Sequence, residues 1–205
     1  VPVSAIIPTP QNVVTLGGSC FVNATADITY ATSSLRRAAE YLASYIPLSC
    51  AEGDGGVIHI ACDPALIGEE YFLAINSQGI RITGGEYGGV INGITTLLQL
   101  LPESVYAKAL SFPFELPLCE ICDAPRYDYR GFMLDVCRTW MPKEAVMEYI
   151  DVLAHHKINT LRLHLTDDEA WRIEIESHPE LAKEGGFRGG DAKIWPRYGK
   201  WNERW

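Results

Sequence analysis

The chain has 205 residues, of which 47% are apolar, 10% aromatic and 21% charged, the composition of a folded, core-forming protein. Disordered, collagen-like and coiled-coil chains are excluded, and no run of about 18 apolar residues is present to cross a membrane as a helix. A formal net charge of −9 repels polyanions and argues against nucleic-acid binding.

The charge is uneven. Residues 1–124 carry Lys or Arg only at Arg36, Arg37, Arg81 and Lys108 against twelve Asp and Glu, while 125–205 hold thirteen basic and fourteen acidic residues. The shift marks a domain boundary near Pro125. Six scattered cysteines, Cys20, Cys50, Cys62, Cys119, Cys122 and Cys137, are too few for a disulfide scaffold and read mostly as reduced core residues. Cys119 and Cys122 have CxxC spacing, but no second CxxC or HxxxH accompanies them, so buried thiols are the preferred reading. The chain starts at Val1 with no signal peptide, as an exported, processed product and a cut piece of a longer chain both would.

Residues 13–22 and 27–30 are short β-branched runs broken by Gly and Asn, and they predict strands. Ser33 or Ser34 can cap a helix in which Leu35, Ala39, Leu42 and Ile46 recur every three or four residues until Pro47 stops it. Residues 57–61 read as an apolar strand, with His59 a satisfied core histidine, and 71–76 with 80–83 as a hairpin through Ser77-Gln78-Gly79. Gly84-Gly85-Glu86-Tyr87-Gly88-Gly89 then leads into a helix with the apolar stripe Val90, Ile94, Leu97, Leu101. Glycines before a helix can cradle a phosphate, but neither a Lys-Ser/Thr pair nor GxGxxG spacing is present, so the run reads as a tight turn. Residues 1–124 are thus predicted as an α+β domain with two helices on a sheet and no cluster of acid, base and nucleophile.

After Pro125 the pattern changes. Residues 129–135 form an apolar strand with a charge near each end, Pro142 opens a helix with Val146, Ile150 and Leu153 on one face, and 159–165 form a second strand. Strand, helix and strand make a βαβ unit with a right-handed crossover, so this region is predicted to be parallel α/β. In such sheets ligands bind at the carboxyl ends of the strands. Asp135 ends the first strand there, Asp167 and Asp168 follow the second, His164 lies inside it, and Trp171 comes four residues after Asp167. This set suits metal binding, or carbohydrate recognition in which an indole stacks on a sugar ring and carboxylates take its hydroxyls. The competing reading is a surface salt bridge of Asp167 or Asp168 with Arg172.

Two longer motifs carry a family resemblance. Tyr129-Arg130-Gly131-Phe132-Met133-Leu134-Asp135, with Arg138, Pro142 and Tyr149-Ile150-Asp151, is followed by Leu163-His164-Leu165-Thr166-Asp167-Asp168-Glu169-Ala170-Trp171-Arg172-Ile173-Glu174-Ile175. Together they closely resemble the opening of the catalytic barrel in family 20 glycoside hydrolases, the β-N-acetylhexosaminidases. Gly79-Ile80-Arg81-Ile82-Thr83-Gly84 and Gly93-Ile94-Thr95-Thr96-Leu97-Leu98-Gln99-Leu100 resemble the non-catalytic domain before that barrel. The resemblance implies an α+β N-terminal domain, 1–124, followed by an incomplete (β/α)8 TIM-barrel segment, 125–205.

It also implies removal of terminal GlcNAc or GalNAc from glycans with retention, the substrate's own 2-acetamido oxygen attacking the anomeric carbon. By position, Arg130 matches the arginine that clamps the sugar's ring hydroxyls. Asp167 matches the aspartate that holds a later histidine against the acid/base Glu, a supporting catalytic role. Trp171 enters the site on the stacking argument alone. Thr139 and Arg162 stand where the family often has His. The acid/base pair belongs to an HxGGDE-like motif that occurs nowhere in 1–205, and 81 residues fall far short of the roughly 250 of a closed barrel. The chain alone is therefore expected to be inactive.

The expected partner is an N-acetylhexosamine-terminated glycan in an extracytoplasmic setting, periplasmic, secreted or lysosome-like, with no cofactor and no metal. One alternative is a non-catalytic carbohydrate-binding or scaffold module that holds sugar through Arg130, Asp167 and Trp171. Another is a metal-dependent hydrolase with His164, Asp167 and Asp168 as ligands, against which stands their spacing across a strand end. The apolar faces at Phe132, Met133, Leu134, Leu161, Leu163 and Leu165 lack the cover of further barrel strands, so 125–205 is expected to dock on the first domain, self-associate or stay poorly ordered. The tail from Gly185 reads as an excursion before a third strand.

Overall fold

A computed structural model describes residues 2–186. The chain divides into two compact units, the second beginning at Tyr129.

In the first unit the strands are β1 (Asn12–Val22), β2 (Asp27–Tyr30), β3 (Ser49–Glu52), β4 (Ile58–Cys62), β5 (Tyr71–Asn76), β6 (Gly79–Gly84) and β7 (Phe114–Asp123), and the helices are α1 (Arg36–Ala43) and α2 (Tyr87–Leu100). They form one seven-stranded sheet in the order β1-β7-β5-β6-β4-β2-β3. Neighbours from β3 to β6 run parallel, and β5, β7 and β1 are added antiparallel.

Strand alternation decides what the helices cover. Ile28, Ile58, Ile60, Leu73, Ile75, Ile80 and Ile82 share the core face and are fully buried with Ala38, Ala39 and Leu42 of α1 and Val90, Ile94 and Leu97 of α2. The residues between them, among them Phe72, Ala74, His59 and Arg81, lie half-buried on the other face. His59 is satisfied there, its Nδ1 2.9 Å from Thr29 Oγ1.

α2 can close on the sheet because residue 93 is glycine. A Cβ at this position would come within 2.6 Å of Ile82 Cγ2 and 3.3 Å of the Tyr71 ring. At the β5–β6 turn Gly79 has φ of +151°, and a Cβ there would overlap the Val57 carbonyl. α1 stops at Ala43 rather than running to Pro47, yet Ile46 stays in the core because its amide still bonds the Leu42 carbonyl at 3.0 Å. Its first turn is a short 3-10 segment at Ser33–Leu35 with no side-chain cap bond.

β7 explains the CxxC spacing. Cys119 is buried on the core face, and Cys122, three residues along the same strand, is exposed on the other. An odd separation on a strand puts the two thiols on opposite faces, so they cannot share one metal or one disulfide. Burial pushes the Cys119 thiol up to about 11.

The second unit opens with β8 (Gly131–Asp135), α3 (Lys143–His155) and β9 (Thr160–His164). β8 and β9 pair in parallel, from Gly131 opposite Thr160 to Asp135 opposite His164. A small hairpin, β10 (Thr166–Asp167) with β11 (Ala170–Trp171), and α4 (Pro179–Gly185) follow. Pro142 sits one residue outside α3, at its N-cap. The C-terminus of α3 is closed by Lys157 in the left-handed region, φ 60°, with Ile158 N bonded to Leu153 O at 2.9 Å and Lys157 N to Ala154 O at 2.9 Å.

No described residue of α3 is fully buried. Met147, Tyr149, Ile150 and Val152 are exposed, as are Phe132, Met133 and Leu163, while Leu134 is buried and Leu161 and Leu165 half-buried. The excursion expected after Gly185 lies outside the described residues beyond 186.

Ile82 lies under α2 with no exposure. Replacing it with Ala should lower stability by about 2–5 kcal/mol, the range for a core Ile that leaves a cavity. Urea unfolding followed by far-UV circular dichroism measures this, and a loss below about 1 kcal/mol would mean that the α2–sheet contact is not tightly packed.

Candidate active site

The parallel register of β8 and β9 brings two strand ends level at their carboxyl edge. Asp135 closes β8 directly opposite His164, the last residue of β9. The chain after Asp135 turns at once, because Asp135 Oδ1 accepts the amides of Cys137 at 3.0 Å and Arg138 at 2.9 Å. This turn is tied across to the neighbouring strand by Cys137 N on His164 O at 3.1 Å.

The turn aims Arg138 back over the edge. Its Nη1 donates to Asp135 Oδ2 at 2.7 Å, and its Nη2 to Asp167 Oδ2 at 2.5 Å. Asp167 is brought within reach by the β10–β11 hairpin that follows β9. The same Oδ2 accepts His164 Nε2 at 2.7 Å, and Oδ1 accepts the Asp168 amide at 2.7 Å. Residues from two strands and a hairpin therefore form one chain, Asp135–Arg138–Asp167–His164, whose ion-paired side chains are 20–29% exposed.

The ionisation of both carboxyls follows from these contacts. At Asp167 a hydrogen bond with the Asp168 side chain, those from His164 and the Asp168 amide, and the Arg138 charge hold the group well below the usual carboxylate range. At Asp135 burial opposes ionisation, but the hydrogen bonds and charge of Arg138 and the Cys137 amide outweigh it and lower the pKa.

Beside this edge Trp140, Trp171, Arg172, Glu174, Pro179, Ala182, Lys183 and Gly186 line a cavity of about 580 Å³. The Trp171 indole is partly buried and fixed by Nε1 donating to Ile173 O at 2.6 Å. Arg172 stacks over Trp140 at 5.3 Å and donates to Cys137 O at 3.2 Å and Gly186 O at 2.6 Å.

Of the residues singled out in the sequence, Asp167 and Trp171 lie at this edge and Arg130 does not. Arg130 precedes the first residue of β8, and five residues of extended strand put it about 16 Å from Asp135. There its Nε donates to Lys157 O at 2.6 Å, and its carbonyl accepts Asn159 N at 3.1 Å. The arginine that does reach the edge is Arg138. The signal was present: Arg138 lies three residues beyond a strand-ending Asp, on the side of the strand where ligands bind. His164 and Asp167 do converge, across the break at Leu165 between β9 and β10, yet among the described residues no group of three His, Cys, Asp or Glu could hold a metal ion.

Residues 3–124 match the family "Glycosyl hydrolase family 20, domain 2", and residues 127–204 match "Glycosyl hydrolase family 20, catalytic domain". The chain belongs to glycoside hydrolase family 20. It is 37% identical to a β-hexosaminidase of Porphyromonas gingivalis over 89% of this chain and 25% of that protein, and 33% identical to one of Vibrio furnissii over 98% and 32%. Among solved structures, a family 20 exo-β-N-acetylglucosaminidase of Vibrio harveyi in complex with N-acetylglucosamine superposes with a TM-score of 0.87 at 32% identity, over 100% of this chain and 32% of that one. A Streptomyces plicatus N-acetyl-β-hexosaminidase gives 0.85 at 33% identity, over 91% and 39%. The chain thus spans a quarter to two-fifths of these relatives. Its fold is the family's α+β N-terminal domain followed by an incomplete segment of a (β/α)8 catalytic barrel.

Because Asp135 and Asp167 ionise below the ordinary Asp value of about 3.9, they favour the folded state fully above that pH and lose this contribution as pH falls through their lowered values. Asp167→Asn should therefore flatten the loss of stability of the second unit below about pH 4. Tryptophan fluorescence reads that unit, since all five Trp lie beyond residue 139. Parallel pH curves for the two proteins would remove Asp167 from the account.

Proposed function

We propose that the protein is a β-N-acetylhexosaminidase that releases terminal GlcNAc or GalNAc from glycans by substrate-assisted, retaining hydrolysis. In this route the 2-acetamido oxygen of the substrate attacks the anomeric carbon, and the enzyme supplies a general acid and groups that stabilise the developing charge. The observation that carries the reading is the Arg138 fork held between Asp135 and Asp167 at the carboxyl edge of the first two barrel strands. Family membership and relatives named as β-hexosaminidases support it.

Roles follow from the chemistry of each group. Arg138 offers a planar cation to sugar hydroxyls and is the better candidate for the clamp than Arg130, whose side chain bonds backbone at the far end of β8. Asp167, held ionised, is an acceptor-only group suited to orienting a neighbouring imidazole or hydroxyl. Trp171 lines the adjoining cavity and offers an apolar wall to a sugar face. The acid/base Asp-Glu pair of an HxGGDE-like motif is not among residues 1–205. An extracytoplasmic location belongs to the same proposal. Among the described residues no helix is long and apolar enough to cross a membrane.

The 205-residue chain should not turn over a chromogenic N-acetylglucosaminide, since general acid catalysis contributes typically 10²–10⁴-fold and its carboxyl is missing. In the full-length protein Arg138→Ala should lower kcat/KM by at least about a hundredfold, because two charge-assisted hydrogen bonds of about 1.5–3 kcal/mol each are lost. Arg130→Ala should change kcat/KM less than about threefold. The reverse ranking would return the sugar clamp to Arg130, and a full-length wild type without activity would sink the hydrolase reading.

A further inference from the structure

We propose that His164 is the positioning residue of this edge: its imidazole Nε2–H holds the Asp167 carboxylate in the orientation that meets Arg138. The inference rests on the hydrolase reading only for its consequence in catalysis, and the hydrogen bond itself can be tested apart from it.

The argument starts from how little else fixes Asp167. It sits on a two-residue strand paired through Thr166 with Trp171 and Asp167 with Ala170, with Arg172 N on Leu165 O at 2.8 Å beside them. A hairpin that short does not define the position of a side chain at its end. Of its other contacts, those with the Asp168 amide and side chain are local and move with the hairpin, and Arg138 is a long side chain reaching in from a turn. His164 differs from both. It belongs to the β8–β9 ladder opposite Asp135, and its carbonyl takes the Cys137 amide. Its 2.7 Å bond therefore references the carboxylate to the strands themselves.

The tautomer follows. Asp167 is held ionised and can only accept, so the hydrogen in this bond must lie on Nε2 of His164. Oδ2 then takes two donors, His164 Nε2 and Arg138 Nη2, on a single oxygen. Without the imidazole the carboxylate keeps Asp168 and Arg138 but loses its one bond to a residue of the β8–β9 ladder, so the second anchor of the Arg138 fork is no longer referenced to the strands.

Side-chain geometry provides the control. Gln at 164 carries its amide nitrogen the same number of bonds from Cα as His Nε2, whereas Asn places its nitrogen one bond short. In the full-length enzyme His164→Leu and His164→Asn should lower kcat/KM about ten- to hundredfold, the size of one hydrogen bond to a charged group, and His164→Gln should stay within about threefold of wild type. Melting temperatures within a few degrees of wild type separate this from unfolding. A fully active Leu variant, or a Gln variant no better than Asn, overturns the proposal. Long-range ¹H–¹⁵N spectra of the wild-type chain decide independently: a proton on Nε2 of His164 supports the proposal, and a bare Nε2 overturns it. If the wild-type enzyme shows no hydrolysis, the hydrolase reading fails and the spectra alone judge His164.

Discussion

Two carboxylates ending neighbouring elements repel unless a cation lies between them, and at the edge of the second unit that cation is Arg138. Like charges about 4 Å apart cost about 1 kcal/mol in water and about 4 kcal/mol at a protein surface. A guanidinium answers both at once because its fork has separate donors for each, Nη1 for Asp135 and Nη2 for Asp167. The arrangement depends on register. A slip of one residue in the β8–β9 ladder would remove Asp135 from opposite His164 and turn the apolar side chains of β9 to the other face.

The two units are held together by different physics. In the first, a continuous apolar core runs from Val3 to Ile121 between one sheet face and two helices. In the second, the buried apolar residues among those described are Leu134, Val136, Cys137 and Ala170. Polar fasteners do what the core does elsewhere: Arg130 Nε on Lys157 O at one end of β8, Cys137 N on His164 O and Arg172 on Cys137 O at the other. This gives Arg130 a physical task without a ligand. One arginine closes the amino end of the strand pair onto the backbone that leaves α3, and another bridges carboxylates at the carboxyl end.

Much of this was legible because periodicity reports burial directly. The stripes of α1 and α2, the alternation in β4 to β6 and the turn at Gly79 are local signals, and the strand-ending Asp135 and Asp167 follow from the βαβ pattern. β3 was not legible. Ser49-Cys50-Ala51-Glu52 has no apolar alternation, and it becomes a strand only because β2 offers it an edge. β7 was legible only in part, since Pro117 interrupts its pattern where β1 shifts register between Thr15 and Ser19. Arg130 and Arg138 sit on either side of the same strand, and a motif read as a string of letters does not say which end faces a ligand. Strand direction does.

The exposure of Arg138 and Asp167 sets what the edge can do in these residues alone. Ion pairs that are 20–29% exposed are screened by water and salt, and a sugar hydroxyl would have to compete with both. The same fork in a water-excluded site makes charge-assisted bonds roughly twice as strong as neutral ones. On the hydrolase reading, the described residues therefore supply orientation: a guanidinium fixed on two sides and a carboxylate kept ionised by Asp168, His164 and Arg138. On the same reading, exclusion of water and the proton for the leaving group would be supplied by groups outside this edge. Catalysis would then depend on how well water is kept from an arginine whose position the first two barrel strands have already determined.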